Sequence, residues 1–315
     1  MRTRTRLGLA AAVSCAALVT AVAVGRSGGG GVASSLIALP NGPYVALGDS
    51  YTAAPKVPGQ SGKPAGCERS DHNYPALVAR ELGLKQGEFH DLSCSGATTA
   101  DLSAAQSTDQ GTNPAQLSAV SRATRLVTLG IGGNDIGFSS MITTCVQAGL
   151  GYQLENRFGG PPPDKAPCKA RYVSDGTEDI AAKIEAAGGR LTGVLHDIER
   201  RAPEARVFVV GYPAILPAEG AAGCGRAMGL APGDVSFLRQ QEQQLNAMLR
   251  SRAHAAGASY IDTYTPSAGR DACAQRDVRW VEPLVPAALA APVHPNERGE
   301  RGMAQAVLRA VRASG

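Results

Sequence analysis

The chain has 315 residues, of which 18% are charged and 4% aromatic, and it carries 31 Lys and Arg against 27 Asp and Glu. Four of the arginines and none of the acidic residues fall within residues 1–33, so the remaining chain holds 27 charges of each sign. The positive excess therefore belongs to the N-terminal segment, and it gives no support for nucleic-acid binding.

The first 33 residues have the pattern of a secretory signal peptide. Three arginines form a positive start, an uncharged run rich in Ala, Val and Leu spans Leu7–Val24, and small residues lead to a cleavage site near Ala33. An uncharged run of this length just reaches that of a membrane anchor, so an uncleaved anchor is the alternative. We predict cleavage and secretion, which leave a single domain of residues 34–315 without stable membrane insertion.

Five short apolar runs, each bounded by Gly, Pro, Asp or Ser, predict buried β-strands. They are Tyr44–Leu47, Phe89–Leu92, Leu126–Leu129, Val207–Val210 and Ser259–Ile261. Helical patterns between and after them predict helices at Tyr74–Leu82, Ile136–Gln147 capped by Asp135, Thr177–Arg200, Asp234–Ala256 capped by Asp234, and Asn296–Arg312. This alternation predicts an α/β fold in which helices cover both faces of a parallel sheet.

Six cysteines lie in the predicted mature chain. An even number in an exported chain indicates disulfides, and no pair has the C-x-x-C spacing that would favour zinc binding or thiol redox chemistry. Sequence alone permits many pairings. We favour the sequential set because each bond then closes a separate loop-rich excursion: Cys67–Cys94, Cys145–Cys168 and Cys224–Cys273.

Four short segments carry residues suited to attack on a carbonyl: GDSY at 48–51, SGAT at 95–98, GGND at 132–135 and VHPN at 293–296. Ser50 follows the first predicted strand, where a strand-to-helix turn would expose its hydroxyl; a simple helix cap is the alternative. Gly96 would let the backbone approach a substrate and donate its N–H, and Asn134 offers an amide donor. These residues follow predicted strand ends, where ligands of parallel sheets bind.

The four segments resemble the conserved blocks of the SGNH, or GDSL-type, hydrolases over about residues 43–313. With six cysteines, the chain is most similar to the secreted bacterial esterases and lipases of that family. The resemblance implies a three-layer α/β/α sandwich around five parallel strands, and an ester hydrolase that works without metal or cofactor. It also implies an oxyanion hole made by the backbone N–H groups of Ser50 and Gly96 and the Asn134 amide.

His294 is the predicted general base, because it precedes the last helix, where the family carries its base. The family pattern places an acid three residues before this histidine, but position 291 is Ala. We therefore expect a backbone carbonyl, that of Ala291 itself, to accept the ring N–H and form a Ser–His dyad. A relocated acid is the alternative, with Asp262 and Glu282 as candidates.

The sequence thus predicts a secreted, monomeric serine ester hydrolase that cleaves aliphatic or lipid esters through a Ser50 acyl-enzyme. A polysaccharide acetylesterase or a phospholipase on the same scaffold stays open, because loops form the acyl pocket. A non-catalytic exported binding protein is a third interpretation, supported only by Ala291. No metal-binding, phosphate-binding or dinucleotide-binding motif competes with these interpretations.

Overall fold

Five short strands form one parallel β-sheet in the computed structural model, which describes residues 42–158, 165–174, 179–218 and 221–313. The strands are β1 (Tyr44–Gly48), β2 (Phe89–Asp91), β5 (Leu126–Gly130), β6 (Arg206–Val210) and β7 (Ser259–Ile261). Their order is β2-β1-β5-β6-β7, and every neighbouring pair is parallel. All five correspond to strands predicted from the apolar runs. The predicted signal peptide, residues 1–33, lies outside the described residues.

A small antiparallel hairpin, β3 (Gln106–Thr108) and β4 (Gly111–Asn113), stands apart from the main sheet. The α-helices are α1 (Ser50–Ala53), α2 (Tyr74–Glu81), α3 (Phe138–Phe158), α4 (Pro167–Ser174), α5 (Ile180–Arg201), α6 (Ala221–Met228), α7 (Pro232–Ala255) and α8 (Glu297–Ala313). Single 3₁₀ turns lie at Ala65–Cys67, Thr99–Leu102, Gln116–Ala119 and Thr265–Ser267.

Helices cover both faces of the sheet, because successive side chains of a strand point to opposite faces. In β1, Val45 and Leu47 enter the core that contains the apolar side chains of α3, α5 and α7. Tyr44 and Ala46 enter a second core with the apolar side chains of α2 and α8. The three-layer α/β/α sandwich is therefore confirmed.

Helix α3, which corresponds to the predicted helix Ile136–Gln147, extends well beyond its predicted end. It begins at Phe138 and continues through Gly149 and Gly151 to Phe158. A Cβ at Gly149 would lie only 2.1 Å from the carbonyl oxygen of Gly229. The glycine that weakens helix propensity therefore also lets the chain before α7 pack directly on α3, and this tertiary contact outweighs the local preference.

Asp234 caps a different helix from the one predicted. It lies in the first turn of α7, but its carboxylate accepts the backbone N–H groups of Cys168 and Lys169 at the start of α4. The first N–H groups of a helix have no acceptor within the helix itself. The buried carboxylate of Asp234 supplies that acceptor for α4. The sequence therefore identified Asp234 correctly as a capping residue, but not the helix that it caps.

The six cysteines that the structure describes form the disulfides Cys67–Cys94, Cys145–Cys168 and Cys224–Cys273, which is the sequential pairing. The first joins the loop before α2 to the turn after β2, the second joins α3 to α4, and the third joins α6 to the loop after β7. The described residues belong to one compact unit. Within the part of the chain that the structure describes, no helix combines the length and apolarity needed to cross a membrane.

Removing the Cys67–Cys94 disulfide is expected to lower the free energy of unfolding by about 3 kcal/mol. The bond joins residues that are 27 positions apart, and cross-linking a loop of that size restricts the unfolded chain by about this amount. The measurement is urea unfolding of the Cys67→Ala/Cys94→Ala variant, followed by the fluorescence of Trp280, the chain's one tryptophan.

The matched control is Cys145→Ala/Cys168→Ala, whose cysteines are 23 positions apart. Because the loop is of similar size, the entropy of its unfolded chain should rise by nearly the same amount, and so should the loss in free energy of unfolding. A larger loss for the Cys67 pair would indicate that this bond also holds the turn after β2 in place. A loss below about 1 kcal/mol for the Cys67 pair would contradict the prediction.

Candidate active site

Ser50 stands at the carboxyl end of β1, as the first residue of the short helix α1. Asp49 caps this helix, and its carboxylate accepts the N–H of Tyr51 at 2.9 Å. A Cβ at the preceding Gly48 would lie 2.5 Å from the carbonyl oxygen of Gly130 on the neighbouring strand. The turn that exposes the Ser50 side chain therefore requires a glycine at position 48.

The imidazole of His294 lies against Ser50, although the two residues are 244 positions apart in the chain. Ser50 Oγ and His294 Nε2 are 2.8 Å apart, and His294 Nδ1 is 2.7 Å from the carbonyl oxygen of Pro292. Because a carbonyl can only accept, Nδ1 carries the ring proton and Nε2 is the nitrogen that can accept one.

The expectation that Ala291 supplies this carbonyl is corrected by the structure. The oxygen of Ala291 accepts the backbone N–H of His294 at 3.2 Å, and the ring meets Pro292 instead. Val293, between the proline and the histidine, has a left-handed φ of +61°. This turn folds the imidazole back over the carbonyl of Pro292. The sequence pattern did not reveal the turn.

Neither candidate acid contacts the imidazole ring. Asp262 accepts two hydrogen bonds from Thr265, through the backbone N–H and the hydroxyl. Glu282 is fully buried, and its carboxylate accepts N–H groups of the loop that follows it. Among the described residues, the ring nitrogens of His294 bond only to the serine hydroxyl and to the Pro292 carbonyl, so the arrangement is a dyad.

The segment that carries His294 is held from two sides. The backbone N–H of Glu282 donates to the carbonyl of His294 at 3.0 Å, and the carbonyl of Glu282 accepts the N–H of Val293 at 3.1 Å. The hydroxyl of Tyr51 donates to the carbonyl of Val293 at 2.5 Å, and its ring centre lies 4.9 Å from that of the imidazole. The helix that presents the serine therefore also positions the histidine.

Gly96 and Asn134 lie together at the ends of β2 and β5. Gly96 has a φ of +78°, which favours glycine, and its turn is closed by a hydrogen bond from Ala97 N–H to the carbonyl of Cys94. The Asn134 amide donates to the carbonyl of Ala97 at 2.8 Å, which leaves its second N–H available. In the described part of the chain, the backbone N–H groups of Ser50 and Gly96 meet no acceptor.

Asp135 ties the neighbouring turns together and does not cap α3, which begins at Phe138. Its carboxylate accepts the backbone N–H and the hydroxyl of Thr99, which follows the Gly96 turn. The same carboxylate forms a 2.9 Å ion pair with Arg190 of α5. The residue beside Asn134 therefore fixes the segments after β2 and β5 to one helix.

Tyr212 is a structural partner of the turn that carries Ser50, and no sequence signal indicated it. Its hydroxyl donates to the buried carboxyl of Asp49 and accepts the N–H of Gly133 at 2.8 Å, so it joins the GDSY turn to the GGND turn. Burial raises the pKa of Asp49 from 3.8 to about 7, although the hydrogen bond from Tyr212 opposes this shift. Sequence proximity could not reveal a contact across 163 positions.

Burial also lowers the pKa of the His294 imidazole below its usual 6.5, because the cationic form loses hydration. The hydrogen bond to the Pro292 carbonyl opposes this shift without reversing it. The ring is therefore neutral at neutral pH, which is the form that can accept a proton from the serine hydroxyl.

Ser50 and His294 border a cavity of about 190 Å³. Its apolar wall contains Phe138, Ile142, Ile215, Leu245 and Leu284. A hydroxyl, a neutral imidazole and convergent N–H donors beside such a wall can attack an acyl carbonyl and hold the oxyanion that forms. Among the described residues, no three His, Cys, Asp or Glu side chains are gathered where they could hold a metal ion.

Sequence comparison places this arrangement among known hydrolases. Residues 46–301 match the model of the GDSL-like lipase/acylhydrolase family. Lipase 2 of Streptomyces coelicolor is 39% identical over 290 residues, which cover 92% of each chain. A lipase of Streptomyces rimosus is 32% identical over 231 residues, which cover 73% of each chain.

The comparison of folds gives the same result. The crystal structure of phospholipase A1 from Streptomyces albidoflavus NA297 superposes with a TM-score of 0.66 at 28% identity, covering 87% of this chain and 99% of that one. The extracellular lipase of S. rimosus superposes with a TM-score of 0.65 at 29% identity, covering 86% of this chain and 100% of that one. The chain therefore belongs to the GDSL-like lipase/acylhydrolase family and is an ester hydrolase.

Proposed function

We propose that this hydrolase uses Ser50 as nucleophile and His294 as general base to cleave aliphatic and lipid esters. The observation that carries the proposal is the 2.8 Å contact between Ser50 Oγ and His294 Nε2 at the edge of an apolar cavity. The similarity to lipases and to a phospholipase A1 favours lipid esters as substrates.

In the proposed reaction, Ser50 Oγ attacks the ester carbonyl carbon while its proton moves to His294 Nε2. The carbonyl oxygen becomes an oxyanion, which accepts hydrogen bonds from the N–H groups of Ser50 and Gly96 and from the Asn134 amide. His294 returns the proton to the leaving alcohol as the acyl-enzyme forms. Water then attacks the acyl carbon and gives a proton to His294, which passes it to Ser50 Oγ as the bond between that oxygen and the acyl carbon breaks and the carboxylic acid is released.

The size and chemistry of the cavity favour an aliphatic chain over an acetyl group. The cavity is lined by apolar side chains that include Phe138, Ile142 and Leu245. An acetyl group would leave most of the apolar wall uncovered. The polysaccharide acetylesterase is therefore the second candidate, and the intact Ser50–His294 contact argues against a non-catalytic binding protein.

We also propose that the chain is exported, that residues 1–33 are removed, and that the mature domain works as a monomer. Three disulfides are the expected product of an oxidising compartment. The S. rimosus relative is described as extracellular. Mass spectrometry of the secreted protein tests the cleavage site, and light scattering of the purified protein tests the monomer.

Replacing Ser50 with Ala is expected to lower kcat/KM on p-nitrophenyl esters by a factor on the order of 10⁴ or more, because the nucleophile is lost. The measurement is a hydrolysis profile of residues 34–315 on esters from acetate to palmitate. Ser139→Ala is the matched control, since this serine borders the same cavity but does not contact His294. Comparable losses in the two variants, or none in Ser50→Ala, would exclude Ser50 as the nucleophile.

The acid limb of kcat/KM against pH is expected to have its midpoint below pH 6.5. The base must be neutral, so the rate falls as pH decreases through the pKa of His294, which burial lowers. The check is a pH profile with a non-ionising ester, with Trp280 fluorescence as the control for folding. A midpoint near 7 that disappears in Asp49→Asn would instead assign the limb to Asp49.

Ala291→Asp is expected to move the acid limb to higher pH. A carboxylate beside the ring would stabilise the imidazolium ion and raise the pKa of His294. Asp262→Ala is the control and should leave the limb unchanged, because this carboxylate bonds to Thr265. A limb that shifts to lower pH in Asp262→Ala or Glu282→Gln would identify a relocated acid and contradict the dyad.

A further inference from the structure

The segment of residues 283–292, which we call the apolar loop, contains only Pro, Leu, Val and Ala. Val285 is 81% exposed and Leu289 is 69% exposed, and Ala287 and Ala288 between them are exposed as well. Single apolar residues on a surface are ordinary, but a contiguous exposed apolar stretch without any charge usually marks a binding surface.

The apolar loop is held in its exposed position. The buried carboxylate of Glu282 accepts the N–H groups of Ala287 and Ala288 at 2.8 and 3.2 Å. The guanidinium of Arg276 donates to the carbonyl of Ala287, and the N–H of Ala291 donates to the carbonyl of Pro55. These hydrogen bonds hold the backbone of residues 287–291 in place.

Both ends of the apolar loop border the active-site cavity. Leu284, at its start, forms part of the cavity wall, and Pro292, at its end, borders the same cavity beside His294. Val285 is the residue next to Leu284, so the exposed stretch begins where the cavity wall ends. The exposed stretch and the apolar wall of the cavity are therefore adjacent.

We propose that the apolar loop is the docking surface by which this hydrolase binds a lipid–water interface and takes acyl chains from it. The proposal rests on the function proposed above, because a continuous path from an uncharged loop to an apolar acyl wall suits an aggregated lipid ester. The absence of charge in the loop fits a neutral or zwitterionic surface better than an anionic one.

The test is the double variant Val285→Ser/Leu289→Ser, in which neither residue contacts Ser50 or His294. Its binding to sedimented phosphatidylcholine vesicles is expected to be weaker by about tenfold or more. On vesicles as substrate, KM should rise by a similar factor while kcat stays within about twofold, because only docking is affected. Hydrolysis of p-nitrophenyl butyrate below its solubility limit should also stay within about twofold of the wild type.

The matched control is Leu150→Ser/Leu154→Ser on α3, where both leucines are about half exposed. They follow the cavity residue Phe138 by 12 and 16 positions, which places them about 18 and 24 Å along the helix. An equal loss of vesicle binding in the control would show nonspecific hydrophobic adsorption and overturn the proposal.

Two further outcomes would also overturn it. Failure of the wild type to bind vesicles would leave the apolar loop as a surface for a protein partner. Equal losses on vesicles and on the soluble ester would show that the loop acts through the histidine segment instead. Vesicle binding by Ser50→Ala separates the two proposals, because docking should persist in that variant even when no ester is cleaved.

Discussion

The hydrogen bond from His294 Nδ1 to the Pro292 carbonyl is the constraint on which the site depends. A carbonyl accepts but does not ionise, so it fixes the tautomer of the neutral ring without adding a negative charge. The contacts of Tyr51 and Glu282 with this segment keep Nε2 within reach of Ser50. In the proposed reaction no carboxylate contacts the imidazolium ion, so the negative charge that stabilises it most is that of the oxyanion. The low dielectric of the cavity strengthens the attraction between the two ions.

The central sheet and the main site residues could be predicted because their signals are local. Each strand is a short apolar run with polar or glycine boundaries, and parallel strands bring their carboxyl ends to one edge. Ser50, Gly96 and Asn134 each follow such a run within a few residues, so their convergence follows from the strand order. The predicted fold required no knowledge of side-chain contacts.

The features that were missed depend on contacts between distant segments. Gly149 lowers helix propensity locally, yet its missing side chain is what allows Gly229 to pack on α3. Tyr212 bonds to Asp49 across 163 positions, and no local pattern marks such a partner. The hairpin β3–β4 contains polar residues and glycine without an apolar run, so it lacks the period that indicates a strand. The ring of His294 meets the Pro292 carbonyl because Val293 has a positive φ, a conformation that valine rarely adopts.

Glu282 links the chemistry of the site to the surface around it. Its backbone pairs with the segment that carries His294, and its carboxylate binds the apolar loop. Burial opposes ionisation of this carboxyl, but the donors of Asn296, Ala287, Ala288 and Arg279 outweigh that effect and lower its pKa. An ionised acceptor forms stronger hydrogen bonds than a neutral one. One residue therefore holds both the segment that carries His294, through its backbone, and the apolar loop, through its carboxylate.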